Sequence, residues 1–218
     1  VSFIHPTAFE GCTDLLSVHC YLESYAGDYL DEPQITIISP TRDFYESLLP
    51  KFRNKLNFHW ALEALEENSY SSKDDISDET TLSKTLDDAT DDTSTHNQSS
   101  IVFLLETDEK QKFLFTGDAG RDAFNHVPQT LLGKVKDVTW MKVPHHGSKH
   151  NLDSTIIKHV NPEIAYISTE KQGKYLNRST VFALKKNGTK VYSTSQNRST
   201  IRHGAIKTRE GWTKIEPM

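Results

Sequence analysis

Two apolar segments that each end in a glycine-containing turn constrain the fold of this chain more than any other feature. The first, KFLFTGDAG (residues 112–120), ends by presenting a single carboxylate, Asp118. The second, VTWMKVPHHGSK (residues 138–149), presents two adjacent histidines, His145 and His146. Glycine lets the backbone turn sharply after each strand, and binding groups of α/β proteins collect in the loops beyond strand ends. We therefore expect these three side chains to lie at one edge of a sheet.

The remaining pattern is one of strands and helices that alternate after residue 110, which predicts an α/β fold. Apolar runs predict strands at residues 34–39, 101–106, 112–116, 138–143, 163–168 and 190–193, and a closing hairpin over residues 200–214. Helical spacing predicts helices at residues 43–53 (interrupted or ended by Pro50), 121–132 (broken by Pro128), 153–160 (capped by Asn151 or Asp153) and 179–186. The continuous apolar run IVFLLE is typical of a strand that is covered on both faces.

An acidic segment separates the first helix from the later strands. Residues 63–92 contain eleven acidic residues and two lysines, a net charge of −9 against −5 for the whole chain, so the remainder is mildly basic. The segment has few apolar side chains and cannot bury enough surface to offset its ordering entropy. We predict a disordered acidic insertion at about residues 66–96, with an acidic regulatory segment as the alternative. The basic remainder is compatible with an anionic substrate.

Composition narrows the class and the cellular setting. No run of about 18 apolar residues occurs, so we expect no membrane span. The two cysteines, Cys12 and Cys20, cannot form a disulfide framework, which predicts a reducing, cytoplasmic setting. A hydrophobic content of 35% is low for a packed enzyme and agrees with a chain that is partly unpacked.

Carboxylate and imidazole side chains are ligands that suit zinc or manganese. An aspartate set among small residues, as Asp118 is in TGDAG, has the room to bridge two metal ions. The alternatives are that Asp118 caps the following helix and that His145 and His146 are ordinary surface-loop residues. Ser148 and Lys149 either cap the loop or contact an anionic substrate.

Four segments also follow one another in an order that resembles a known family. They are NQSSIVFLLE, KFLFTGDA, DVTWMKVPHHGSKHN and PEIAYISTEKQGKY, and the resemblance covers about residues 35–195. The chain is similar here to the second half of the metallo-β-lactamase fold, in the branch that contains the hydrolase domain of the bacterial DNA-uptake channel protein ComEC. The resemblance implies the C-terminal part of an αββα sandwich and makes residues 1–218 a partial metallo-β-lactamase-like domain.

The resemblance also implies roles for individual residues. The aspartate of the GD motif bridges two metal ions in that family, which assigns Asp118 as a metal ligand. The PHHGS histidines lie at the site, which makes His145 and His146 ligands or proton donors. Asn97 stands where other members place a third metal-binding histidine, with Ser100 at the matching spacing. Asn177 stands near a further family histidine, where its amide can hydrogen-bond a phosphate or another part of a substrate.

The family signature HxHxDH, which supplies most of the metal ligands, is missing from this sequence. Three explanations are open: the chain is a fragment of a longer enzyme, it pairs with a separate chain that carries the motif, or it is a degenerate relative retained for binding. We expect two divalent metal ions, zinc or manganese, in the complete enzyme and partial or no occupancy in this chain alone.

The function that the resemblance implies is metal-dependent hydrolysis by a phosphodiesterase or nuclease. The substrate class is then a nucleic acid or another phosphodiester, and an upstream half is needed to complete the binuclear site. A non-catalytic interaction domain is the alternative function.

Overall fold

The computed structural model describes residues 24–31, 33–53, 85–169, 176–194, 200–203 and 210–218. The strands are β1 Tyr29–Leu30, β2 Gln34–Ser39, β3 Val102–Glu106, β4 Lys112–Phe115, β5 Trp140–Lys142, β6 Ile164–Ile167, β7 Lys190–Ser193, β8 Thr200–Arg202 and β9 Trp212–Lys214. The helices described in full are α1 Arg42–Arg53, α2 Thr95–Gln98, α3 Arg121–Asn125, α4 Gln129–Leu132, α5 Ser154–Val160 and α6 Arg178–Lys186, with a 3-10 turn at Pro144–Gly147. The α/β class predicted from the sequence is confirmed.

Strands β1 to β7 form one sheet in sequence order. The strands from β1 to β4 are antiparallel neighbours, and the strands from β4 to β7 are parallel neighbours. The change follows from the connections, because a short turn over residues 107–111 joins β3 to β4 whereas helices join the later strands. Strands β3 and β4 therefore form a hairpin.

The two faces of this sheet differ in chemistry and in burial. Side chains of one face are aliphatic and fully buried, among them Val102, Leu104, Leu114, Met141 and Ala165. The opposite face carries an aromatic row in which ring centroids of successive neighbours lie 4.7 to 5.7 Å apart: Phe103, Phe115, Trp140, Tyr166 and Tyr192. The first four of these rings remain partly exposed. Of the two faces of β3 that were expected to be covered, the aliphatic one is fully buried and the aromatic one is partly buried.

Three predicted elements differ in detail. Helix α1 continues through Pro50 to Arg53, because Pro50 lies in the last turn and removes only one hydrogen bond there. Strands β8 and β9 pair in parallel rather than as a hairpin. The strand predicted at residues 138–143 is shorter, at Trp140–Lys142.

The break at Pro128 is confirmed, and it divides the predicted helix into α3 and α4. Helix α5 is capped by Asp153, whose side chain accepts a hydrogen bond from the Ile156 N–H. Cys12, Cys20 and residues 66–84 of the predicted insertion lie outside the described residues. Among the described helices, none combines the length and the apolar character needed to cross a membrane.

Candidate functional site

Sheet topology brings the predicted site residues to one edge. Strands β4 and β5 are adjacent and parallel, so the turns that follow them, with Asp118 and with His145, emerge at the same edge. Strand β3 runs antiparallel to β4 and therefore begins at this edge. Asn97 and Ser100, which precede β3, arrive there as well. Four of the predicted residues are thus neighbours because of strand direction alone.

The turn after β4 is held by contacts that explain its sequence. Gly117 has a φ of +54°, and a Cβ atom there would lie 3.0 Å from the Ser100 Cβ. The Ser100 Oγ accepts a hydrogen bond from the Asp118 N–H at 3.2 Å. The N-cap of α3 is Gly120, not Asp118, and the Asp118 carboxylate lies 3.3 Å from the Lys142 Nζ with 41% of its side chain exposed. Asp118 therefore faces the sheet edge as a charged group and does not cap the helix.

The turn after β5 places two successive non-glycine residues in the left-handed region. His145 has φ 41° and ψ 53°, and His146 has φ 55° and ψ 21°. Such conformations cost about 1–3 kcal/mol each and persist where the surroundings hold them. Here the Ser148 N–H donates to the His145 carbonyl at 3.0 Å. The two rings diverge: the His145 Nδ1 faces Asp92, whereas the His146 Nδ1 donates to the Ser168 carbonyl.

Asp92 is the centre of a buried hydrogen-bond network. Its Oδ2 accepts hydrogen bonds from the side-chain amides of Asn97 and Asn151, each at 2.9 Å, and lies 3.2 Å from the His145 Nδ1. Its Oδ1 accepts from the Ser94 N–H at 2.8 Å. The Asp92 side chain is only 9% exposed. This network ties the segment before β3 to the histidine turn after β5.

Electrostatics of the pair follow from this geometry. Burial by itself raises the pKa of Asp92, but the hydrogen bonds from His145, Asn97, Ser94 and Asn151 lower it below its ordinary value. Burial also lowers the pKa of His145, yet its hydrogen bond to Asp92 and the charges of Asp92 and Asp118 raise it above its ordinary value. The two shifts agree in direction with a carboxylate that accepts a hydrogen bond from the ring.

Arg121 fixes the segment that carries Asp92. Its buried guanidinium donates to the carbonyls of Leu86, Ala89, Lys149 and Leu152 and pairs with the Asp91 carboxylate at 3.0 Å. One side chain thus joins residues 86–91 to the loop that follows the histidines. Leu86 is fully buried in the core. The part of the predicted acidic insertion that the structure describes, residues 85–96, therefore packs against the site through Leu86, Asp92 and Thr95. Other side chains of this segment, among them Asp87, Asp88 and Asp91, remain exposed.

Sequence reasoning missed Asp92 and Arg121 because each was absorbed into a larger pattern. Asp92 stands in an acidic run, where the number of charges alone does not distinguish it from its neighbours. A signal was present, since Asp92 precedes Ser94, which caps α2 by accepting from the Asn97 N–H, and a capped helix start indicates order. Arg121 directly follows the TGDAG turn, and a cation so close to an expected carboxylate is also a signal of a site residue.

The other predicted residues lie at or beside the same edge. Ser148 is buried, and its Oγ accepts from the His150 N–H at 3.2 Å, so it caps the loop. The carbonyl of Lys149 accepts from Arg121. Asn177 lies beside the histidine turn, where its N–H donates to the Gly147 carbonyl, but its side chain caps α6 by accepting from the Ser179 N–H at 2.9 Å.

Two side chains at this edge suit a divalent cation. A metal-ligating histidine usually donates its other ring N–H to a carboxylate, and His145 has Asp92 in that position. Asp118 supplies a partly exposed carboxylate, which it shares with the Lys142 ammonium. Within the residues described above, no group of three or more His, Cys, Asp or Glu side chains is close enough to hold a metal ion. The described residues alone therefore do not form a metal site.

Comparison with known proteins gives a partial match. The chain is 30% identical over 128 residues to ComE operon protein 3 of Bacillus subtilis (strain 168). The match covers 58% of this chain but only 16% of that protein, so this chain spans a small part of its relative. No protein family model matches the chain. No solved structure matches it either.

Proposed function

We propose that this chain is part of a metal-dependent phosphodiester hydrolase that acts on nucleic acid in DNA uptake. The observation that carries the proposal is the arrival of Asp118 and His145 at one sheet edge, from two adjacent parallel strands. The order of the GDA and PHHGS motifs and the similarity to ComE operon protein 3 support the same class. In this proposal the sheet belongs to an αββα sandwich of the metallo-β-lactamase type.

Each residue has a chemical task in this proposal. Asp118 and His145 would hold the metal ions, zinc or manganese, and His146, the third predicted ligand, would serve as the proton donor. The bound ions would supply a water of lowered pKa and positive charge for the scissile phosphate. Lys142, whose Nζ lies 3.3 Å from the Asp118 carboxylate, and Lys149 place positive charge beside an anionic substrate. His146 lies at the more open side of the turn and is the better placed of the two histidines to transfer a proton to a leaving group.

The remaining ligands have to come from residues with the HxHxDH pattern, in an upstream segment or in a separate chain. The aromatic face of the sheet supports a second layer there. Four large side chains remain partly exposed on this face: Phe103, Phe115, Trp140 and Tyr166. Burial of large aromatic rings contributes strongly to stability. A second sheet on this face would bury them and bring its own loops to the Asp118 edge.

A second candidate function, a non-catalytic interaction domain, is favoured by one contact. The Lys142 ammonium lies beside the Asp118 carboxylate and neutralises the charge that a metal ion would otherwise balance. In a domain retained for binding, this ion pair would replace the metal.

The experiment is hydrolysis of single-stranded DNA and of bis(p-nitrophenyl) phosphate by the full-length protein, with Zn²⁺ or Mn²⁺ added. The proposal expects turnover that chelation removes and that added metal restores. Turnover that is unaffected by chelation would contradict the role of metal. Intact binding of DNA without any turnover would favour the interaction domain.

A further inference from the structure

The surroundings of the His145 Nδ1 define which ring nitrogen carries the hydrogen. Two acceptor oxygens face this atom, the Asp92 Oδ2 at 3.2 Å and the Asn151 Oδ1 at 3.3 Å. The Asn97 amide also approaches within 3.5 Å, but it donates to Asp92 at the shorter distance of 2.9 Å. A ring nitrogen between two acceptors is satisfied only as an N–H donor. The neutral ring then has its lone pair on Nε2.

The orientation of the Asp92 carboxylate is fixed by contacts other than the one with His145. Three donors other than His145 reach its two oxygens: the Ser94 N–H and the amides of Asn97 and Asn151, at 2.8 to 2.9 Å. Asn151 is in turn anchored by donating to the Asp118 carbonyl at 3.1 Å. A carboxylate held by this many donors cannot rotate away, so it sets the plane of the ring that donates to it.

The adjacent carboxylate, that of Asp91, has contacts that indicate a purely structural role. Asp91 pairs with Arg121 at 3.0 Å, and its side chain is 43% exposed. It anchors the segment without any described contact to a histidine. Asp92 is buried, and its Oδ2 is directed at His145, so anchoring alone does not account for its position.

We propose that Asp92 is the positioning residue of His145, which selects the Nδ1–H tautomer and directs Nε2 to the ligand position at the Asp118 edge. The use of Nε2 for metal rests on the proposed function, whereas the tautomer does not. Because outer carboxylates of this kind typically contribute a factor of about 10–100 in metal affinity, the loss of Asp92 should weaken metal binding by that factor.

The test is nitrogen NMR of histidine-labelled protein without metal, at a pH where His145 is neutral, followed by Mn²⁺ titration. Wild-type protein should show His145 as the Nδ1–H tautomer. Asp92→Asn should shift the ring toward the other tautomer and weaken Mn²⁺ binding about 10- to 100-fold. The matched variant Asp91→Asn removes the same charge one residue away and should preserve both the tautomer and the affinity.

The outcomes separate this inference from the proposed function. An Nε2–H tautomer in the wild-type protein would overturn the role of Asp92, and this result needs no variant that folds. An unchanged tautomer in folded Asp92→Asn would also overturn it. The predicted tautomers without Mn²⁺ binding by any variant of the full-length protein would support positioning by Asp92 and count against the metal-dependent hydrolase.

Discussion

The candidate site has two arms that differ in exposure and in order. The buried arm, defined as Asp92, His145 and Asn151, is a closed hydrogen-bond network in which the Asp92 and His145 side chains are 9% and 18% exposed. The exposed arm, defined as Asp118, Lys142 and His146, holds an ion pair in which the Asp118 and Lys142 side chains are 41% and 22% exposed. Folding alone therefore orders the first arm, whereas the second presents its charges to solvent and to any ligand.

The difference in exposure implies different contributions of the two arms to stability and function. In a network with little access to water, the low local dielectric strengthens each hydrogen bond. The same low dielectric makes any polar group that is left unpaired costly. A partly exposed ion pair contributes little to stability, about 0–1 kcal/mol, so its residues can be exchanged at small structural cost. Substitutions in the exposed arm should therefore affect function first, and substitutions around the buried arm should affect stability as well.

The largest functional effect is expected at Asp118. Asp118→Ala in the full-length protein should abolish hydrolysis, because in the proposed site this carboxylate holds the metal ions and no neighbour among the described residues can replace it. Asp122→Ala is the matched control, since Asp122 lies on the exposed surface of α3 and should leave activity intact. Rates with saturating metal are the measurement, and full activity in Asp118→Ala would refute the assignment of the site.

Substitution of the two histidines, one in each arm, should have different effects on metal content and on rate. His145→Ala removes the ring that Asp92 orients and should lower metal content together with the rate. His146→Ala should spare most of the metal and lower the rate by about 10²–10⁴, as expected for loss of a proton donor. Metal analysis beside kinetics distinguishes the two, and equal losses of metal in both variants would show that both rings are ligands.

The next effect concerns the stability of the buried arm. Arg121→Met should lower the free energy of unfolding by about 3–5 kcal/mol, because four carbonyls and the Asp91 carboxylate lose their buried donor. Arg42→Met is the control, since the Arg42–Glu46 pair is long and exposed and should contribute less than about 1 kcal/mol. Denaturant titration measures both, and similar values for the two variants would show that the Arg121 contacts are weak.

The smallest effect is a dependence of stability on pH that arises from His150. Its Nδ1 lies 2.6 Å from the Thr90 carbonyl. Burial is the main cause that lowers the pKa of His150 below its ordinary 6.5, against the hydrogen bond with Thr90. The unfolded chain therefore binds this proton more readily than the folded one. Stability is fully present above about pH 6.5 and falls as the pH drops below that value.

His150→Asn removes this titration and keeps an N–H donor for the Thr90 carbonyl. Its unfolding midpoint should fall less than that of the wild type between about pH 7 and about pH 5. Equal falls in both proteins would show that His150 is not responsible.

The sequence predicted the site residues that directly follow β4 and β5 better than their partners from other segments, and the reason is local. Asp118, His145 and His146 each follow an apolar strand within a glycine turn, so short-range pattern is enough to find them. Asp92 lies 53 residues from His145 along the chain, and no periodicity records such a contact. Lys142 was assigned to a strand, correctly, but its side chain also reaches the Asp118 turn.

The fold shows the same division. Strands β2 and β7 were predicted with the bounds that the structure has, because their apolar runs end at turn residues. The parallel pairing of β8 with β9 departs from the hairpin that their short separation suggests. The path of residues 85–92 depends on contacts with a distant segment. Arg121 determines much of the path of residues 85–92. The four backbone carbonyls that it contacts cannot be recognised from residue types.

Calorimetric titration of the chain with Zn²⁺ or Mn²⁺ tests the central claim, that the Asp118 edge is a partial metal site. The account predicts weak binding by the wild type, since the described residues supply fewer ligands than a closed binuclear site needs. Asp118→Asn and His145→Ala should each abolish that binding, whereas Asp122→Asn should keep it. Binding that survives in both site variants, or that Asp122→Asn removes equally, would contradict the claim.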